Sequence, residues 1–356
     1  MKRSVTAIAA IAVGALALTA CASTPATETT TPASSSGSGG SVDVAPRTIG
    51  VISISRSSPA TLKTEEAITL AAEALGWDVE VVDANVVADT AAKAALNFVA
   101  QGVDGIIGLS LEASIIRQGL LDARAAGIAT CEAGTVSDSD LYDAQYVDDN
   151  IDLGKTLMDH ILDETPNAKV GILHATNNQA GLDRQIGVEQ SLAEHPDATV
   201  VGDATPDLTD PTNATQKAVT DMITANPDLT SVYAVFDNFA SGAVAAVRNA
   251  RSSAKVWTYY GTPANVDALR NQPELGGLLD ADLATTGLLC VDQFLRLFES
   301  GTPINPNELT DRGGLIHRVV TKDNIEEATS GGPVTFPNEE LLDPFLEAWK
   351  QEFGTK

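Results

Sequence analysis

Residues 103–131 read VDGIIGLSLEASIIRQGLLDARAAGIATC, and the order of apolar and polar positions in this stretch decides the fold. Val103 to Leu109 is a short apolar run that predicts a strand. Leu111 to Ala126 has the spacing of an amphipathic helix, and Gly127 closes it. Ile128 to Cys131 returns to a strand. Strand, helix and strand in this order form a right-handed βαβ unit whose two strands run parallel.

The alternation continues on both sides. Upstream, Ile49 to Ile54 predicts a strand and Pro59 to Leu75 a helix ending at Gly76. Val79 to Val82 follows as a strand, and Asp89 to Ala100 as a helix with Gly102 at its end. After Asp148 the pattern starts again, with Asp149 or Asn150 capping a helix that runs to about Leu162. Strand Lys169–His174, helix Gly181–Glu194, strand Ala198–Val201 and helix Thr212–Ala225 come next. Strand Ser231–Val235, helix Ala240–Ala250 and strand Lys255–Tyr259 extend the series. A strand near Gly277–Leu279, a helix from Ala284 to Phe298, a strand Leu315–Val320 and a helix Asn338–Phe353 complete it. The fold class is α/β, with two doubly wound parallel-sheet lobes. Open parallel sheets place their crevices at the carboxyl ends of their strands, so two facing lobes form one cleft that a hinge can close.

The N-terminus carries a different message. Lys2 and Arg3 precede Val5–Leu18, an uncharged apolar stretch of 14 residues, whereas a membrane-spanning helix needs about 20. Leu18-Thr19-Ala20-Cys21 then reads as a secretory cleavage site, so residues 1–20 are expected to be a signal peptide. The tetrapeptide also resembles a bacterial lipobox, which would make Cys21 the lipidated first residue of the mature chain. The competing reading is an ordinary signal peptide with an incidental cysteine. Ala22 to Pro46 is almost entirely Thr, Ser, Pro, Ala and Gly, a composition that cannot bury enough apolar surface to fold. As a flexible tether it has an end-to-end distance of about 28 Å. No other stretch has 18 consecutive apolar residues. The expected location is outside the cytoplasmic membrane, held to its outer face by the lipid.

About 310 residues remain for the folded body, enough for two domains. The net charge of −26 argues against nucleic-acid binding, which draws on clustered Lys and Arg. Cys131 and Cys290 can form a disulfide in an exported protein, or remain as two buried thiols. His160, His174, His195 and His317 lack metal-ligand spacing, so no metal and no cofactor are expected. The chain contains no P-loop, no GxGxxG after a strand and no GxSxG, and an enzyme is not expected.

Over residues 47–320 the order of several short motifs resembles the type I periplasmic binding proteins of the ribose-binding and galactose-binding kind. Ala125-Ala126-Gly127-Ile128-Ala129 is similar to that family's AGIPV at the fourth strand, and Asp148-Asp149-Asn150 with Gly154 to the opening of its second lobe. Arg184 followed by Gly187 resembles the helix start that presents a ligand-binding arginine. Ala225-Asn226-Pro227-Asp228-Leu229 with Val232-Tyr233-Ala234, then Asp237, Gly242 and Gly261-Thr262-Pro263, continue in the expected order. The resemblance implies a substrate-binding lipoprotein of a sugar ABC transporter, monomeric, with an ABC permease as partner. It also implies a first lobe of residues 47–148 plus 283–313 and a second of 149–282 plus 314–356. Three crossings are expected, near Gly134–Asp148, near Asp282 and near Arg312–Leu315, with the final helix against the second lobe.

Candidate ligand contacts follow from these positions. Arg184 offers a planar fork of donors suited to adjacent hydroxyls or a carboxylate, or else forms a surface ion pair with Asp183 or Glu189. Ser57 and Ser58 can donate to a ligand or cap the helix that starts at Pro59. Glu132 can accept from a hydroxyl or an ammonium, or be a solvated loop carboxylate. Phe236 can stack on an apolar ring face, while Asp237 reads first as a helix cap. Tyr259-Tyr260 is notable in a chain with 16 aromatic residues, one ring being expected to face the core and the other the cleft. The resemblance places an aspartate of sugar binders where Tyr260 stands, and Asp280 or Asp282 is a candidate replacement carboxylate. Such a receptor serves an importer, or alternatively acts as a ligand sensor for a membrane signalling partner. The solute is a sugar, polyol or sugar derivative, with a nucleoside or amino-acid-like ligand as the alternative.

Overall fold

A computed structural model of the chain describes residues 42–137, 139–176, 179–328 and 338–355. The first sheet comprises β1 (Thr48–Ser53), β2 (Asp78–Asp83), β3 (Gly105–Leu109), β4 (Ala129–Ala133) and β5 (Ala144–Tyr146). Its order is β2-β1-β3-β4-β5, and all its pairings are parallel. The second comprises β6 (Lys169–Leu173), β7 (Thr199–Ala204), β8 (Ser231–Ala234), β9 (Lys255–Tyr259), β10 (Leu275–Ala281) and β11 (His317–Thr321). Its order is β11-β10-β9-β8-β6-β7, and only β11 runs antiparallel.

The helices connecting the first-sheet strands are α1 (Pro59–Ala74), α2 (Ala88–Gln101) and α3 (Arg117–Ala126). Then come α4 (Asn150–Glu164), α5 (Gln179–Glu194), α6 (Pro211–Ala225), α7 (Ala240–Ala250) and α8 (Pro263–Asn271). The last are α9 (Ala284–Ser300), α10 (Glu308–Asp311), α11 (Ile325–Ala328) and α12 (Asn338–Phe353). Their ends follow from local chemistry. Ser58 caps α1 ahead of Pro59, and Asp149 caps α4 by accepting from Asp152 N at 3.0 Å. Gly102 and Gly127 end α2 and α3 with φ of 72° and 73°, a conformation that costs a β-carbon-bearing residue dearly.

Both faces of each sheet are covered, as a doubly wound α/β fold requires. Ile49, Val51 and Ile107 of the first sheet bury against α1, α9 and α12, while Ile52 and Ile106 bury against α2 and α3. A separate core surrounds the second sheet, where Leu153 and Leu157 of α4 join Val170, Val232 and Val256.

Several expectations are corrected. The first crossing is confined to residues 147–149, because β5 still belongs to the first sheet. The second and third lie at 282–283 and 312–316, tied together by Asp282 N donating to Ile316 O at 2.9 Å. The final helix packs on the first lobe, not the second. Leu342, Phe345 and Trp349 of α12 join the first lobe's core, and the Trp349 indole N–H donates to buried Asp292 on α9 at 2.8 Å. Helix α11, through Ile325, thus belongs to the second lobe's core and α12 to the first's. Helix α3 starts at Arg117 rather than Leu111, and the pattern reading omitted β5 and α8.

Cys131 on β4 and Cys290 on α9 form a disulfide with a Cα–Cα separation of 5.7 Å. Of the two alternatives left open by sequence, the bonded one holds. The leader, Cys21 and most of the tether lie outside the described residues. Among the described residues no helix is long and apolar enough to cross a membrane.

Candidate functional site

At the carboxyl ends of β6, β8 and β9 the second lobe gathers its unusual side chains around Arg184. This arginine sits on the second turn of α5 and is 1% exposed. Nε donates to Asn150 Oδ1 at 2.9 Å and Nη1 to Val235 O at 2.7 Å, while Nη2 donates to the Tyr260 hydroxyl. Its guanidinium carbon lies 4.0 Å from the centre of the Tyr259 ring, 5.2 Å from Tyr260 and 5.3 Å from Phe236, all within cation–π range. Burial and these inward bonds rule out the surface ion pair with Asp183 or Glu189.

Helix contact without intervening side chains fixes the position of Arg184. Gly154 on α4 faces the Arg184 carbonyl so closely that a β-carbon there would stand 2.2 Å from it. Gly187 on α5 makes the reciprocal approach to Ile151 O. Asn150, the first residue of α4, is thereby brought to the guanidinium.

Tyr260 is the strained member, with φ of 62°, a rare conformation for a bulky side chain. Its N–H donates to Leu279 O at 2.8 Å, and Asn265 Nδ2 donates to its carbonyl at 3.3 Å, so the surroundings impose the turn. The turn separates the environments of the two tyrosines. Tyr259 is fully buried with its hydroxyl 2.6 Å from that of Tyr233, while Tyr260 is half-buried beside Arg184.

Two aspartates, Asp148 and Asp237, feel the Arg184 charge, and a third, Asp280, lies beside the turn at Gly261. Burial pushes the carboxyl of Asp148 up to about 6, and His317, the Asp149 N–H and Arg184 only partly pull it back. Burial likewise raises Asp237 to about 6, opposed by the Asn238 N–H and by Arg184. Asp280 is 1% exposed and also rises to about 6 through burial, with Lys63 of α1 the chief opposing charge. Asp280 Oδ1 accepts from Gly261 N, next to Tyr260. Oδ2 of Asp148 and Oδ2 of Asp280 are buried and accept no hydrogen bond.

Other candidates are placed differently. Glu132 is fully buried, its Oε1 accepting from Leu111 N at 3.0 Å and Oε2 from Thr135 N at 2.8 Å. It braces two loops, and burial drives its carboxyl well above the usual range. Asp282 accepts from the backbone N–H and the hydroxyl of Thr285, fixing the start of α9. Ser58 caps α1, and Ser57 is exposed with its hydroxyl 2.7 Å from that of Ser55. Asp237 opens a single 3-10 turn, Asp237–Phe239, ahead of α7 and makes no side-chain capping bond there. In the sequence Asp148 was only a motif letter and Asn150 a motif letter or helix cap, and Lys63 carries no local signal of its place beside Asp280 and Asp282.

Residues 49–291 match the periplasmic binding protein domain. The chain belongs to the periplasmic binding protein family. Its class is thus solute binding rather than catalysis. No curated protein matches this binding protein by sequence. Among solved structures, it resembles a periplasmic solute-binding protein of an ABC transporter from Actinobacillus succinogenes with bound D-allose. That likeness has a TM-score of 0.70 at 20% identity and covers 79% of this chain and 99% of the other. The Caulobacter myo-inositol binding protein, bound to myo-inositol, gives 0.70 at 18% identity over 80% and 96%. The arabinose transporter component from Shewanella, bound to L-arabinofuranose, gives 0.67 at 21% identity over 84% and 98%. These likenesses place the binding protein's fold among theirs.

Proposed function

We propose that this binding protein captures a sugar or polyol between its lobes outside the cytoplasmic membrane and delivers it to an ABC importer. The observation that carries the reading is the Arg184 constellation. Aromatic faces from Phe236 and Tyr260 stand beside buried donors and acceptors at the carboxyl ends of three neighbouring strands. A ring with apolar faces and a hydroxylated edge matches that combination. The structural relatives holding D-allose and myo-inositol support the same class. A thermal-shift screen over sugars, polyols, amino acids and nucleosides tests it. A sugar or polyol at 100 times its dissociation constant should stabilise the protein by about 2.7 kcal/mol. A response confined to amino acids or nucleosides would overturn the assignment.

In this reading the protein works as a monomer tethered by a lipid on Cys21, and the charged then apolar leader supports that anchor. Cys21→Ala should release the protein to the medium or leave an unprocessed precursor. Detergent-phase partitioning is the check, and an unchanged membrane fraction would refute the anchor.

A further inference from the structure

The two lobes meet at a buried group of charges beside the second and third crossings. Lys63 lies on the second turn of α1, in the first lobe, and its charge acts on Asp280 and Asp282. Asp280 belongs to β10 of the second lobe, and Asp282 to the crossing that follows it. Both are almost wholly buried, at 1% and 3% exposure. Arg318 of β11 stands opposite Asp280 in the strand register and is a second cation acting on it. Local bonds hold Lys63 in this place. Thr64 Oγ1 donates to Leu283 O at 3.4 Å, and Asn338 Nδ2 donates to Lys63 O at 2.9 Å. Burial raises the two carboxyls and lowers the Lys63 ammonium, while the attraction between them favours the ionised form of each.

We propose that Lys63 is a positioning residue of the hinge, whose ammonium compensates Asp280 and Asp282 across the lobe boundary and so favours the closed arrangement of the lobes. The reason is that compensation counts most where water is excluded. Opening the lobes hydrates the carboxylates and makes the lysine dispensable to them. The same group adjoins the candidate site, since Asp280 accepts from Gly261 N, next to Tyr260. The inference holds whichever solute the cleft takes.

The test needs no ligand. Spin labels on the full mature chain, at exposed Ala125 of α3 and exposed Thr220 of α6, report the distance between lobes. At pH 7.5 Lys63→Met should shift that distribution to longer distances than wild type, and Lys63→Arg, which keeps the charge, should not. The groups facing Asp280 are Lys63, Arg318, Asp282 and the Gly261 N–H. Its carboxyl titrates at about 6 with Lys63 present, and loss of the lysine moves it higher. At pH 5.0 Asp280 of the variant is therefore protonated, and the distance should return towards wild type. Lys63→Met combined with Asp280→Asn should do the same at pH 7.5. If Lys63→Met does not fold, Lys63→Gln takes its place. A wild-type distribution at pH 7.5 in the folded single variant overturns the inference. A longer distance that persists both at pH 5.0 and in the double variant also overturns it, because lost packing rather than lost charge would then be the cause.

Discussion

Arg184→Ala is expected to weaken ligand binding by about 2–5 kcal/mol, mostly through faster dissociation. The loss has two sources. Truncation removes any donor that the guanidinium gives the ligand, and it also dismantles the surface that shapes the site. Val235 O and Asn150 Oδ1 lose a buried charged donor, which costs about 1–3 kcal/mol for each group left unsatisfied. The unliganded protein should therefore also be less stable towards urea. Arg184→Lys keeps the charge but cannot reach Asn150, Val235 and Tyr260 together, because an ammonium lacks the planar fork. Tyr260→Phe removes one hydroxyl and keeps the ring, so it should cost about 1 kcal/mol and separate the hydrogen bond from stacking. Calorimetry on the ligand found by screening decides the matter. Affinity of Arg184→Ala within twofold of wild type, with the fold intact, would remove Arg184 from the site.

The alternation of elements was legible because the physics behind it is local. A strand covered on both faces must be an apolar run, as Gly105–Leu109 is, and a helix that ends in a left-handed turn needs a residue such as Gly127. Strand β5 was not legible, since three residues, Ala144-Gln145-Tyr146, carry no period of their own. The pattern of α12 showed that it buries one face but not against what. That choice is made by Asp292, a buried carboxylate on α9 that receives the Trp349 indole and the Arg296 guanidinium. At the site, Arg184 stood out through the family-like spacing to Gly187, and Tyr260 through its place in an adjacent tyrosine pair in a chain with 16 aromatic residues. Glu132 was singled out by its place after the fourth strand, and its different role is decided by amides at Leu111 and Thr135 that only the folded loops bring near. Orphaned oxygens on Asp148 and Asp280 depend on burial from several elements, which no local window contains.

Removing the Cys131–Cys290 bond is expected to cost about 2–5 kcal/mol of stability. The cysteines are separated by 159 positions, so the bond closes a loop that contains β5, the second lobe through β10, and the start of α9. In the chain-entropy account such a loop removes about 5 kcal/mol of freedom from the unfolded chain, and measured values usually fall below that ceiling. The location matters as much as the loop length. Both cysteines are fully buried in the first lobe's core, where α9 returns after the excursion through the second lobe and must find β4 again. The bond joins the first and returning segments of that lobe. Cys131→Ala with Cys290→Ala should therefore lower the urea midpoint and steepen the transition, because the freed chain exposes more surface on unfolding. A Ser pair should be worse than the Ala pair, since it places two hydroxyls in an apolar core. If the lobes unfold separately, the loss should fall on the transition of the first lobe. Ligand affinity should survive in the folded Ala variant, since the Arg184 group lies in the other lobe. Stability within 0.5 kcal/mol of the oxidised wild type, roughly the additivity error of distant mutations, would show that the bond contributes nothing.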